Sequence, residues 1–142
     1  MINQRGAEME TEIKIRGYHT DLYQHVNNAR YLEFLEEARW QLLETYTDLE
    51  AFMKKGFVFF VVNINISYKS QARVNDVIRI RSGMGKIGNK SAVVRQRVFN
   101  LTTGQVCADA EITFVVSDIR QKALTFDGEV LEMVNRIPVF EK

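Results

Sequence analysis

The sequence predicts an α+β domain in which a curled antiparallel sheet of about five strands is wrapped around one long central helix. One helical period carries Tyr31, Leu32, Phe34, Leu35, Ala38, Leu42, Leu43 and Tyr46 on a single arc. It follows one short alternating strand and precedes four further alternating stretches. Hairpin signals at Gly88-Asn89 and Thr103-Gly104 join the later stretches. The helical arc spans about half the circumference, more than a surface helix uses, so the sheet has to curl to cover it.

Residues 1–10, MINQRGAEME, are polar and are expected to form a tail, leaving 11–142 as one domain. Ile13 and Ile15 alternate with Glu12, Lys14 and Arg16, a strand that ends at Gly17. Asn27 or Asn28 supplies the helix N-cap. Arg30, Glu33, Glu37, Gln41 and Glu44 take the solvent face, while Arg39 falls inside the apolar arc and requires a carboxylate or carbonyl partner at an interface. Residues 47–55 read as a second, polar helical piece before Gly56. The period then becomes two. Val58, Phe60, Val62, Ile64, Ile66 and Tyr68 share one face, and on the other Phe57, Phe59 and Val61 give way to Asn63, Asn65 and Ser67. Such a strand is covered on both sides at its start and on one side later. Strands follow at 77–84, 91–101 and 105–118. In the last, Val106, Ala108, Ala110, Ile112, Phe114 and Val116 point inward, with Cys107 on the polar side. Residues 128–136 form a short closing helix before Pro138. A sheet of this size leaves open edges, which favour edge-to-edge dimers and a tetramer built from them.

A chain of 142 residues with 46% apolar and 26% charged residues is an ordinary soluble domain. The net charge of +1 argues against nucleic acid or an anionic membrane as partner. MINQRGAEME has no apolar signal core, and the longest apolar run, 57–62, is far too short for a membrane span. A single cysteine, Cys107, rules out an intrachain disulfide and fits a reducing, cytoplasmic setting. Two histidines and one cysteine without metal-ligand spacing make no zinc site.

The chemistry concentrates in YHTDLYQHVNNARYLEFLEEARW, residues 18–40. It holds both histidines (His19 and His25), the carboxylate of Asp21 and the amides of Asn27 and Asn28, directly before the long helix. An acid, an imidazole and a helix N-terminus together supply a base or nucleophile, a second proton carrier and N–H groups for a developing oxyanion. That is the outfit of acyl transfer.

The pattern D-x-x-x-H-V-N-N-x-x-Y, here Asp21, His25, Val26, Asn27, Asn28 and Tyr31, with FLEEARW behind it, resembles the hotdog-fold thioesterases of the 4-hydroxybenzoyl-CoA thioesterase superfamily. FVVNINISY, GNKSAV and ADAEITFV extend the likeness to nearly the whole chain and to its bacterial long-chain acyl-CoA thioesterase branch. The resemblance implies an acyl-CoA substrate hydrolysed without metal or organic cofactor. It implies Asp21 as general base or nucleophile and the backbone N–H of Asn28, seven residues on, as the group that polarises the thioester carbonyl. His25 matches a histidine of plant acyl-carrier-protein thioesterases, although Tyr23 stands where those have asparagine. Substrate contacts are expected from Asn27, Tyr31, Phe60, Lys90 and Ser91, with Lys86 and Arg73 as further cations for coenzyme A phosphates and Glu36 as a reserve carboxylate. Two other functions remain open from sequence: a hotdog hydratase or dehydratase, whose acid and histidine sit five apart with a proline between, and a binding module that holds acyl thioesters without turnover.

Overall fold

In the computed structural model, residues 9–141 are described. Most of the tail expected over 1–10 lies outside them, and Met9 and Glu10 already belong to the first strand, opposite Ser82 and Arg81. The elements run β1 (Met9–Lys14), a 3-10 turn (Gly17–His19), α1 (Asn28–Tyr46), α2 (Leu49–Lys54), β2 (Val58–Tyr68), β3 (Val77–Ile87), β4 (Ala92–Asn100), β5 (Gln105–Ser117) and α3 (Gly128–Asn135). One antiparallel sheet contains all five strands in the order β1-β3-β4-β5-β2, so β1 and β2 are its edges. β3–β4 and β4–β5 are the hairpins that the turn signals anticipate; Gly104, at φ 78°, takes a left-handed conformation that suits glycine. The connection from β2 to β3, residues 69–76, instead crosses the end of the sheet.

Tyr31, Phe34, Leu35, Ala38 and Leu42 form the buried face of α1. Tyr31, Phe34, Leu35 and Ala38 meet Ile78, Ile80, Val98, Ala110 and Ile112 of the sheet in one buried cluster, and Leu42 joins Met84, Val94 and Phe114 in a second. Arg39 finds its carbonyl partner inside the chain rather than at an interface. Its Nη1 donates to Gln96 Oε1 (3.1 Å), and Gln96 Nε2 in turn donates to the Leu35 carbonyl and Ser82 Oγ. Burial of that guanidinium pushes its pKa down, so it relies on this buried relay.

Two bulges overturn the face assignments made from a strict two-residue period. Val61 pairs with Phe114 and Asn63 with Thr113, which leaves Val62 without a partner on β5. The inward set is therefore Phe59 and Val61 before the bulge and Ile64, Ile66 and Tyr68 after it. Val58, Phe60 and Val62 turn to the outer face of the sheet, where Phe60 is 44% exposed. On β5, Val98 pairs with Ala108 and Phe99 with Val106, so Cys107 is the inserted residue. It points into the core, fully buried, and Val106 turns outward beside Arg79 and Arg97. An extra residue flips every following side chain to the other face.

Candidate active site

The residues between β1 and α1 form a compact, stapled loop. Thr20 and Val26 form an isolated bridge, Val26 N–H donates to the Ala72 carbonyl (2.9 Å), and His25 bridges to Arg73 of the crossing connection. Within that frame Gln24 N–H donates to the Asp21 carbonyl, and Gln24 takes φ 63°, a left-handed conformation uncommon for a residue with a Cβ. Asp21 N–H donates to the His25 carbonyl (2.9 Å), so the structure brings these two predicted residues together. The Asp21 carboxylate also binds locally: Oδ1 accepts from Tyr23 N–H (2.8 Å) and His25 N–H (3.3 Å). Oδ2 accepts from no protein group among the described residues and lies on an exposed residue. One oxygen holds the loop, and the other makes no contact with it.

His19 is the structural histidine of the pair. Its Nδ1 accepts from Arg16 N–H (2.9 Å), its carbonyl accepts from Asn27 N–H, and its ring packs edge-on against Phe34. Burial, then the nearby Arg30 and Arg16 charges, push its pKa below the usual 6.5. The unfolded chain thus takes up this proton first, and stability falls as pH drops below about 6.5. Denaturation midpoints between pH 5 and 7.5 should show that loss in the wild type. His19→Asn, which keeps an acceptor for Arg16, should remove its share of it.

The start of α1 is capped by Asn27, whose Oδ1 accepts from Ala29 N–H (2.8 Å), while Arg30 N–H donates to the Asn27 carbonyl. Asn28 N–H, the first amide of a 19-residue helix, has no protein acceptor among the described residues. An unpaired donor at the positive end of a helix is suited to an anion or a developing oxyanion. A recess of about 180 Å³ lies beside it, lined by Asn28, Tyr31, Tyr68, Lys69, Ser70 and Gln71.

The other predicted contacts are distributed differently. Tyr31 reaches the recess, but it is almost fully buried, and burial holds its hydroxyl pKa far above the ordinary range. Phe60 faces away from the helix. The apolar residues that do face it, Phe59 and Val61, form a narrow crevice of about 60 Å³ with Arg39, Leu42, Leu43 and Phe114. Lys90 and Ser91 lie in the β3–β4 turn, near Lys86, at the opposite end of the sheet from Asp21. Arg73, by contrast, sits beside His25. Glu36 accepts from the Trp40 indole (3.2 Å), about 12 Å along the helix from Asn28. Tyr68, which sequence reading placed only on a strand face, enters the site because the Val62 bulge sets its direction.

Residues 15–134 match the model of the thioesterase-like superfamily. Among curated proteins, the long-chain acyl-CoA thioesterase FadM of Escherichia coli is 48% identical over 130 residues, covering 91% of this chain and 98% of that one. The crystal structure of YbaW, a probable thioesterase from Escherichia coli, superposes with a TM-score of 0.86 at 47% identity over 92% of this chain and 98% of that one. SAV2348 from Staphylococcus aureus, solved in complex with CoA, shares the fold with a TM-score of 0.83 at 10% identity, over 100% of this chain and 93% of that one. With the family model matched over most of its length, this chain belongs to the thioesterase-like superfamily.

Proposed function

We propose that the chain is a cytoplasmic acyl-CoA thioester hydrolase that converts long-chain acyl-CoA to free fatty acid and coenzyme A. Membership of a thioesterase family and the likeness to FadM support the reaction and the substrate class. The observation that carries the assignment of roles is the acceptor-free Asn28 amide at the start of α1, next to a loop that keeps Asp21 Oδ2 free.

The thioester carbonyl oxygen sits on the Asn28 N–H, which stabilises the charge that develops as the carbonyl carbon becomes tetrahedral. Asp21 Oδ2 takes a proton from the attacking water, or attacks the carbonyl carbon itself and is released by water in a second step. Collapse breaks the C–S bond, and the departing thiolate of coenzyme A recovers a proton, with His25 as carrier. A thioester is already an activated acyl group, so these steps need no further cofactor. Asn27 acts by shaping the helix start, and Arg73, whose backbone bridges to His25, supplies a cation for a coenzyme A phosphate.

A homo-oligomer is part of the proposal. β2 is an unpaired edge on which Val58, Phe60, Val61, Val62, Ile64 and Tyr68 are each at least 40% exposed, and the site loop presents Leu22 at 90%. Edges of this composition pair with another chain. Antiparallel pairing of two β2 strands brings the Lys90–Ser91 end of one copy to the same side as the Asp21 end of the other. Phe60 then serves as an interface residue. Sedimentation should show a dimer or a tetramer of such dimers, and a fully active monomer contradicts the pairing.

A thioester panel read by free-thiol release tests the function. Hydrolysis of long-chain acyl-CoA supports it. Hydration of enoyl-CoA without thiol release would make the protein a hydratase, and tight binding without turnover would make it a binding module.

A further inference from the structure

We infer that Tyr68 is a positioning residue for the amide that polarises the thioester, an inference that rests on the hydrolase reading above. Tyr68 closes β2, and its hydroxyl donates to the Asn28 backbone carbonyl (3.1 Å). This bond ties the sheet edge to the first residue of α1. It completes a clamp. Upstream, the Asn27 amide is held by the His19 carbonyl (2.9 Å) and the Asn27 side chain caps Ala29. Downstream, the Tyr68 hydroxyl fixes the carbonyl of Asn28 itself. The residue that carries the free N–H is therefore anchored on both sides.

The anchor is itself held firmly. Lys69 N–H donates to the Cys107 carbonyl (2.7 Å) and Ser70 Oγ donates to the Val106 carbonyl (2.7 Å), so the backbone just beyond Tyr68 is tied to β5. The Val62 bulge turns Tyr68 toward the helix, and the Tyr68 ring packs against Tyr31 with centroids 5.6 Å apart. Burial raises the Tyr68 pKa, so the hydroxyl stays a donor through neutral pH. Its ring also lines the recess beside Asn28, where the thioester would lie. A carbonyl carries two lone pairs, so the Asn28 oxygen accepts this bond without giving up its place in the helix.

Little else depends on the hydroxyl. Tyr68 is 42% exposed and lies outside both core clusters, so removing one oxygen leaves the packing in place. Small losses of alignment at a reacting group cost rate far more than they cost substrate affinity.

The test is Tyr68→Phe in the full-length protein with a long-chain acyl-CoA. We expect kcat to fall roughly 10- to 100-fold with KM changed less than about threefold and the melting temperature nearly constant. A second readout separates positioning from general support. In an Asp21→Asn background that binds acyl-CoA and turns it over slowly enough to be observed bound, the infrared stretch of the bound thioester carbonyl should lie below its solution frequency. Adding Tyr68→Phe should move it back toward that frequency. An unchanged kcat, or a loss of kcat that follows a lowered melting temperature with an unshifted carbonyl stretch, overturns the role of Tyr68 and leaves the hydrolase reading standing. A wild-type protein that hydrolyses no thioester overturns both.

Discussion

Asp21→Asn is expected to lower kcat by about 10² to 10⁴ while leaving the fold and acyl-CoA binding intact. The structure makes this substitution unusually clean. Oδ1 of Asp21 accepts from the Tyr23 and His25 amides, and an asparagine retains that oxygen, so the loop keeps its staples. The change at Oδ2 removes a base or nucleophile and puts an amide NH₂ in its place. Asp21→Ala would release the two amides as well and so mix a loop defect with a chemical one. A circular-dichroism melt beside steady-state kinetics checks both halves of the claim. If Asp21→Asn keeps more than about a tenth of wild-type turnover, the general-base role is wrong, since such groups contribute at least ~10²-fold. Glu36 is then the first carboxylate to replace. His25→Ala should cost less, because the histidine backbone makes the loop contacts and only its side chain is lost. An equal loss would mark a coupled Asp–His unit.

Much of this site is legible in the amino-acid sequence because its signals are local. The spacing of Asp21, His25, Asn27 and Asn28 lies within a turn and a helix cap, where residue type alone decides the backbone partners. The buried stripe of α1 follows from its period for the same reason. What sequence reading misses comes from long-range pairing. A two-residue alternation cannot reveal that Val62 and Cys107 are inserted residues, since an inserted apolar residue looks like one more member of the strand. That is why Phe60 is grouped on the face of Ile64, Ile66 and Tyr68 when Phe59 and Val61 hold that place, and why Cys107 is assigned to a polar face when it lies in the core. The crossing connection over 69–76 is equally silent: nothing in it announces that β2 ends at the sheet edge or that Ala72 and Arg73 clasp the site loop. Tyr68 enters the site through both of these features.

Specificity should rise steeply with acyl chain length and reach its maximum in the range of about 12 to 16 carbons. On the proposed reading the acyl chain starts at the recess beside Asn28 and follows α1 toward the separate apolar crevice under Phe59 and Val61. Leu42, at the far wall, is 14 residues beyond Asn28, or about 21 Å along the helix axis. An extended chain with C–C bonds of about 1.5 Å advances about 1.3 Å per carbon, so about 16 carbons cover that distance. Each buried methylene contributes about 0.8 kcal/mol, close to fourfold in kcat/KM, so the six methylenes between octanoyl- and tetradecanoyl-CoA should make a difference of up to ~4 × 10³. Arg39 in the crevice wall and the narrowness of the opening reduce that figure, and the slope should flatten once the chain passes Leu42. Val61→Trp gives the corollary. The indole fills the crevice from the sheet side, so long-chain substrates should lose at least ~10-fold in kcat/KM while butanoyl-CoA is unaffected. Both measurements belong below the concentrations at which long acyl chains form micelles. A flat profile, or a maximum at acetyl- or benzoyl-CoA, would reject the long-chain assignment and leave thioester hydrolysis itself untouched. A Val61→Trp protein that handles every chain length equally would place the acyl path elsewhere, with the outer face of β2 the next surface to block.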